Sequence, residues 1–234
     1  MHSNQYTLIY AAALSIITAI VLAVAAEGLK PAQQTNIALD NKSNILRAVR
    51  LNYTDRAQIE NTYSKSIEEV VVNAAGESIG GVKIKEVDLK KEVAKVPENR
   101  RLPLYVYTAN KGEKYYIVPL RGTGLWGPIW GYISLQDDFD TVYGAFFDHK
   151  GETPGLGAEI AELPFQQQFQ GKKIMSDEGQ FVSVNVVKKT DKVSYGTEHR
   201  VDAISGGTIT SRGTDAMLKN CTAPYLAYFE KIKK

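Results

Sequence analysis

Residues 201–211, Val-Asp-Ala-Ile-Ser-Gly-Gly-Thr-Ile-Thr-Ser, combine two glycines and four hydroxyl side chains directly before an apparent helix. Glycine lets the backbone approach a ligand closely, and the first turn of a helix offers unpaired N–H groups and a partial positive charge. Both properties favour a bound phosphate group, although the same residues also suit a simple turn with a helix cap. The loop lacks the lysine of a nucleotide-binding P-loop and the spacing of a Rossmann glycine motif, which disfavours nucleotide hydrolysis.

This loop resembles the flavin-acceptor motif Asp-Gly-x-Ser/Thr-Gly-Ala-Thr, in which a flavin transferase attaches FMN as a phosphoester to the final threonine. Thr208 occupies the acceptor position. The loop matches the motif at Asp202, Ser205 and Gly206, whereas Ala203 replaces its glycine and Gly207 replaces its alanine. The resemblance implies covalent FMN on Thr208, with the ring left free to exchange electrons. Arg212, one turn further on, is either a partner for the phosphate charge or an ordinary surface arginine.

A second constellation consists of residues 121–131, which contain Gly-Leu-Trp, and residues 149–157, which contain Glu-Thr-Pro-Gly-Leu-Gly. A proline between turn glycines makes a stiff loop, in which Leu156 suits packing against a flat ring and Trp126 offers a second apolar wall. Plain core packing is the alternative for Trp126 and Trp130. His149 has no acid–base partner in the sequence, which indicates a structural role or a polar neighbour of the ring.

Residues 121–131 and 149–157 resemble the corresponding sequences in the C-subunit family of sodium-pumping NADH:quinone reductases and in its relatives from ferredoxin-linked complexes. Residues 29–33, Leu-Lys-Pro-Ala-Gln, with Asn36 and residues 44–46, Asn-Ile-Leu, are similar to the segment that follows the membrane anchor specifically in the C subunits. The resemblance implies flavin contacts on these two stretches and on the acceptor loop. The implied site residues are Trp126, Glu152, Thr153, Leu156, Asp202, Ser205, Gly206, Gly207 and Thr208.

The same resemblance implies an electron-transfer component, not catalytic alone, of a six-subunit membrane complex. Electrons are expected to arrive from a 2Fe-2S centre held by the D and E subunits and to leave to the flavin of the B subunit. Quinone is then reduced while sodium crosses the cell inner membrane, and the FMN domain is placed in the periplasm.

Residues 6–26 form an uncharged apolar run of the length that a helix needs to cross a bilayer. A cleaved signal peptide is the alternative, because residues 23–25, Ala-Val-Ala, resemble a cleavage site. The leader, however, has no Lys or Arg. Lys30 and Lys42 after the helix weakly favour a cytoplasmic domain, but this charge rule is weak for large domains, so the periplasmic placement implied by the resemblance is preferred.

The pattern of the remaining chain predicts an α+β fold, in which a single N-terminal transmembrane helix precedes a soluble mixed α/β FMN-binding domain. A juxtamembrane helix is predicted from about Pro31 to Val49, and a second near residues 55–63. Short β-branched or aromatic runs predict strands at 70–72, 104–108, 115–120, 131–135, 142–147 and 181–187. Residues 84–101 are expected to form a solvated linker or a surface excursion. Residues 208–234 are expected to be helical with an interruption at Pro224. The predicted division is an anchor at 1–28, a small subdomain at 29–98 and the FMN domain at 99–234.

Composition narrows the function classes. The formal net charge is +2 and the single cysteine is Cys221, so no nucleic-acid partner, internal disulfide, thiolate-bound cluster or metal site is predicted. Two further functions remain open, the homologous G subunit of a ferredoxin:NAD oxidoreductase complex and an anchored, non-redox anion-binding module. A hydrolase with Thr208 as nucleophile is disfavoured, because no base adjoins this residue in the sequence.

Overall fold

The computed structural model describes residues 3–191 and 195–233. The chain divides into two compact units, Met1–Asn41 and Lys42–Lys234. The functional division into 1–28, 29–98 and 99–234 remains a proposal.

Helix α1 spans Asn4–Ala48, and Pro31 lies inside it. The sequence pattern predicted that a new helix starts near Pro31, and this prediction is wrong. A proline removes one N–H donor, while the turns on either side keep their hydrogen bonds, so the loss stays local. The apolar part of α1 is long enough to cross a membrane, and none of it is buried in the structure. An ordinary core helix of a soluble protein would be mostly buried, so α1 is a candidate membrane span.

A five-stranded antiparallel sheet forms the centre of the second unit, with its strands in sequence order. The strands are β1 (Ile67–Val72), β2 (Leu102–Thr108), β3 (Lys114–Thr123), β4 (Pro128–Leu135) and β5 (Val142–His149). Five of the six predicted strand positions are confirmed by these strands. The expected strand at 181–187 is reduced to β6 (Asn185–Val187), which pairs in parallel with β7 (Arg200–Asp202). Sequence reasoning missed β7, because three residues are too few to show an alternating pattern.

Besides the end of α1, the described part of the second unit contains five α-helices. They are α2 (Arg56–Ser66), α3 (Leu89–Val93), α4 (Leu163–Gln167), α5 (Thr208–Thr222) and α6 (Leu226–Ile232). A 3₁₀ turn, Ala223–Tyr225, separates α5 from α6. The interruption predicted at Pro224 is therefore confirmed, and Lys234 lies outside the described residues.

Helix α5 covers one face of the sheet, where Met217 packs against Gly122 so closely that a Cβ on the glycine would lie 2.8 Å from the methionine Cβ. The opposite face receives the end of α1. There the Ser134 hydroxyl donates to the carbonyl oxygen of Ala48 at 2.7 Å. Elements therefore pack on both faces of the sheet, and the strand register fixes which loops reach the amino end of α5.

The charged stretch 84–101 lies largely on the surface, as the second of its two predicted roles requires, but it is not a plain linker because it contains helix α3. Glu92 of α3 is buried and forms ion pairs with Lys95 at 2.7 Å and Arg101 at 2.8 Å. Charge patterning along a sequence shows that charges are present, but it does not show that they pair in a folded structure.

Candidate functional site

Thr208 is the first residue of α5, and the preceding Gly207 provides no side-chain cap. The first helical hydrogen bond runs from the Ser211 N–H to the Gly207 carbonyl oxygen at 2.9 Å. The N–H groups of Thr208, Ile209 and Thr210 therefore have no acceptor among the described residues. Unpaired N–H groups and the helix dipole together favour a negatively charged group at this terminus.

The two glycines before Thr208 are required by close packing. Gly206 has a φ of +74°, and a Cβ there would lie 2.5 Å from Leu156 Cδ2. A Cβ on Gly207 would lie 2.9 Å from Ile204 Cγ2. Gly206 therefore meets both a conformational and a steric demand, and it brings the acceptor loop against Leu156.

Glu152 joins three segments of the site. Its Oε1 accepts a hydrogen bond from the Trp126 backbone N–H at 2.8 Å, and its Oε2 accepts one from the Thr210 hydroxyl at 2.5 Å. Its own N–H donates to His149 Nδ1 at 3.1 Å. Glu152 thereby ties the loop after β3 and the loop after β5 to the first turn of α5.

Glu152 is buried, with 4% of the residue exposed. Burial raises the pKa of Glu152, but hydrogen bonds from Thr210 and from the backbone of Trp126 and Leu125 outweigh it, so the pKa is lowered. Glycines leave room for the carboxylate, since a Cβ on Gly124 would lie 2.6 Å from Oε1 and one on Gly157 would lie 2.5 Å from Oε2.

Trp126 is 68% exposed, so core packing does not explain it. Its indole Nε1 donates to Thr153 Oγ1 at 3.1 Å, which fixes the ring beside the loop that carries Leu156. Leu156 is itself 41% exposed and packs against Gly206. Exposed apolar side chains next to an electropositive helix terminus suit a ligand with a flat apolar part and an anionic part.

A pocket of 110 Å³ adjoins Thr208 and is lined by two cationic side chains, Lys188 and Arg212. The backbone N–H of Lys188 donates to the Asp191 carboxylate at 3.3 Å. The pocket suits a phosphate group because its two cations outnumber its one carboxylate and because it adjoins the amino end of α5.

The structure brings most of the predicted site residues together around the start of α5. Trp126, Glu152, Thr153 and Leu156 meet the acceptor loop through the contacts above. Asp202 instead lies at the end of β7, where its carboxylate pairs with Lys189 at 3.3 Å, and Ser205 is exposed. Sequence reasoning missed Lys188 and Thr210. Lys188 carries no motif signal, whereas the buried hydroxyl of Thr210 belongs to the hydroxyl-rich stretch around the acceptor threonine.

The sequence profile of the FMN-binding domain family matches residues 124–223, which include both loops and most of α5. Over nearly its whole length the chain is also similar to the C subunit of the Na(+)-translocating NADH-quinone reductase of Haemophilus ducreyi. The two are 34% identical, and the match covers 96% of this chain and 93% of the relative. The chain belongs to the C-subunit family of Na⁺-translocating NADH-quinone reductases.

Further comparisons agree with membership of the C-subunit family. The C subunit of the Neisseria meningitidis serogroup A reductase is 31% identical over 97% of this chain and 93% of the relative. The crystal structure of the C subunit from Parabacteroides distasonis superposes with a TM-score of 0.78 at 41% identity, covering 86% of this chain and 96% of that chain. The Shewanella oneidensis protein NqrC, with a TM-score of 0.67 at 24% identity, supports the fold alone. The predicted family and the predicted α+β fold with an N-terminal apolar helix are confirmed.

Proposed function

We propose that this protein carries FMN linked through its phosphate to the hydroxyl oxygen of Thr208 and relays electrons within a membrane-bound, Na⁺-translocating NADH-quinone reductase. One observation carries the proposal. The half-buried Thr208 stands at the uncapped amino end of α5, in a pocket with Lys188 and Arg212 and beside exposed apolar side chains.

The pocket fits a phosphodiester. An ester at Thr208 keeps one negative charge on the phosphate, and that charge would lie near the unpaired N–H groups of the first turn of α5. Lys188 and Arg212 add two positive charges, of which Asp191 offsets one. Forming the ester joins the Thr208 oxygen to the FMN phosphorus and breaks the anhydride bond of a flavin dinucleotide donor. The nucleoside monophosphate leaves with the Thr208 hydroxyl proton, so the chain gains the mass of FMN less one water.

The loops after β3 and β5 fit the flavin ring. Trp126 and Leu156 present apolar surface, and the hydrogen bond between Trp126 and Thr153 holds the indole in place. Glu152 is buried and bonded to protein groups, so we assign it the positioning of these two loops rather than direct contact with the ring. When bound, FMN supplies one- and two-electron chemistry, while the protein sets the position and surroundings of the ring.

The family supports a relay within a larger assembly. We propose that the protein accepts electrons from a 2Fe-2S centre associated with the D and E subunits and passes them to the flavin of the B subunit. The exposure of Trp126 and Leu156 supports this role, because partner proteins can approach that part of the surface. A flavin transferase must also reach Thr208 during maturation, and the pocket beside Thr208 provides access. We further propose that α1 anchors the chain in the cell inner membrane with the soluble domain in the periplasm.

The test is the intact mass and visible spectrum of the denatured full-length chain after expression with a flavin transferase. Wild type is expected to retain a yellow chromophore and to carry the mass of FMN less water. Thr208→Ala is expected to lose both, because it removes the acceptor oxygen. Thr208→Ser keeps a hydroxyl at the acceptor position, and Ser205→Ala removes a neighbouring exposed hydroxyl, so both are expected to remain flavinylated. A colourless, unmodified wild-type chain would instead favour a non-redox anion-binding module.

A further inference from the structure

A second pocket, away from Thr208, has a volume of 210 Å³ and lies where the end of α1 meets β5 and α4. We call it the arginine pocket. Its lining includes two guanidinium groups and three glutamine amides, and no carboxylate among the residues that the structure describes. The polar side chains are those of Arg47, Arg50, Asn52, Gln166, Gln167 and Gln170.

Both guanidinium groups are held by aromatic rings. The guanidinium carbon of Arg47 lies 4.6 Å from the centroid of the Phe146 ring, and that of Arg50 lies 4.2 Å from the centroid of Tyr143. Arg50 also adopts a φ of 63°, which is unusual for a residue other than glycine. Neither arginine forms an ion pair with a carboxylate in the described part of the chain. Fixed guanidinium groups with free N–H donors suit a carboxylate ligand, which they can bind through two parallel hydrogen bonds.

The glutamines add neutral hydrogen-bonding groups. Gln166 is buried, and its amide nitrogen donates to the carbonyl oxygens of Ala161 at 2.9 Å and Phe147 at 3.1 Å. Its amide oxygen has no donor among the residues that the structure describes and remains available as an acceptor. Gln167 and Gln170 provide further donors and acceptors. Such amides match the N–H and C=O groups of a peptide main chain better than they match an isolated phosphate.

A tyrosine surface adjoins the arginine pocket on the same side of the sheet. Tyr143, which stacks under Arg50, lies 4.0 Å from Tyr115 between ring centroids, and Tyr115 stacks on Tyr107 at 5.9 Å. These three rings are only half-buried. Tyrosine and arginine are the residues most enriched in the centres of protein interfaces, because they bury large areas and still form hydrogen bonds.

We infer that the arginine pocket and the adjoining tyrosine surface dock an acidic segment of a neighbouring protein of the reductase complex, with one Asp or Glu side chain inserted between Arg47 and Arg50. The acidic nature of the docked segment is inferred from charge complementarity. Arg47 and Arg50 have no carboxylate partner in the described part of the chain and therefore favour an anion. A volume of 210 Å³ fits a side chain better than a nucleotide, and the glutamines suit the adjoining main chain. This inference rests on membership of the C-subunit family and is independent of FMN attachment at Thr208.

The first experiment uses the intact complex, isolated through an affinity tag on one of the other proteins in it, and measures how much of this chain is recovered. Arg47→Glu combined with Arg50→Glu is expected to lower recovery at least about tenfold, because a buried carboxylate would then face like charges. Arg56→Glu is the matched control, since Arg56 is an exposed arginine whose ion pair is with Glu60 on the same helix. Normal recovery of the double variant would overturn the inference.

A second measurement separates docking from misfolding and from free anions. A photo-crosslinking amino acid replaces Asn52, which lines the pocket, while both arginines stay in place. The crosslinked peptide is expected to come from another protein of the complex and to contain Asp or Glu, and changing that acidic residue to Arg is expected to restore recovery of the double Glu variant. The inference would be overturned if Asn52 crosslinks only to lipid or within this chain and inorganic phosphate stabilises the chain. That result would assign the pocket to a free anion or a lipid headgroup.

Discussion

Two kinds of charged residue organise the candidate flavin site. Glu152 is buried and internally bonded, and it determines how the loops after β3 and β5 meet α5. Lys188 and Arg212 line the pocket beside Thr208 and determine its potential. Glu152 positions the loops, whereas Lys188 and Arg212 contribute positive charge near Thr208. Substitution of Glu152 is therefore expected to have a different effect from substitution of the two cations.

Replacing Lys188 and Arg212 by Gln is expected to reduce covalent flavinylation without unfolding the protein. Each substitution removes one positive charge near the phosphate, and a partly exposed interaction of about 0.5–1 kcal/mol corresponds to a roughly two- to fivefold loss per charge. The fraction of chain carrying FMN is measured by intact mass after short expression with a flavin transferase. Lys219→Gln is the control, because Lys219 lies further along α5 and pairs with Asp215. Equal labelling of all variants would show that these charges do not contribute.

Among the elements, the segment between β1 and β2 depends on a single buried carboxylate. Burial raises the pKa of Glu92, but hydrogen bonds from Lys95 and Arg101 outweigh it and lower the pKa to about 2. Glu92 on α3 thereby connects the charged stretch to Arg101, which directly precedes β2. A carboxylate that is more acidic when folded stabilises the fold in its ionised form.

Glu92→Gln is therefore expected to destabilise the protein at neutral pH by about 2 kcal/mol, a figure reduced from the full pKa shift because Lys95 and Arg101 are 40% and 39% exposed. The wild-type advantage is complete above the ordinary glutamate pKa of 4.5 and declines as the pH falls towards about 2. Urea unfolding of the full-length chain in detergent at pH 7 and at pH 3 measures both values. Glu98→Gln, an exposed residue of the same segment, is the control. A difference between Glu92→Gln and wild type that does not change with pH would contradict this account.

At the scale of the whole molecule, the chain combines one exposed apolar helix with a compact unit at Lys42–Lys234. An uncleaved α1 is expected to keep the full-length protein in the membrane fraction after alkaline extraction, and removal of residues 1–27 is expected to release it.

The intact mass of the mature chain decides between an anchor and a signal peptide, because cleavage after residue 25 would leave a shorter, soluble chain. Because the soluble domain is proposed to lie in the periplasm, protease added to spheroplasts is expected to digest this domain.

The amino-acid pattern alone was enough to identify the family, the apolar N-terminal helix, the five main strands and the stretches that make up the candidate site. These features depend on local patterns, namely hydrophobic periodicity, glycine spacing and the Glu-Thr-Pro-Gly-Leu-Gly loop. Residues far apart in the chain were harder to connect. The hydrogen bond from Thr210 to Glu152 and the pocket shared by Thr208 and Lys188 depend on how α5 and β6 pack around the sheet.

The surroundings of individual charged and aromatic side chains became known only from the packing of the folded chain. In the sequence, Trp126 was compatible with core packing as well as with a ring contact, and Glu92 with a solvated linker or a surface excursion. Their roles became definite when packing exposed Trp126 and buried Glu92 beside Lys95 and Arg101. The physical reason is that burial and charge pairing are properties of three-dimensional neighbours, which a linear pattern does not specify.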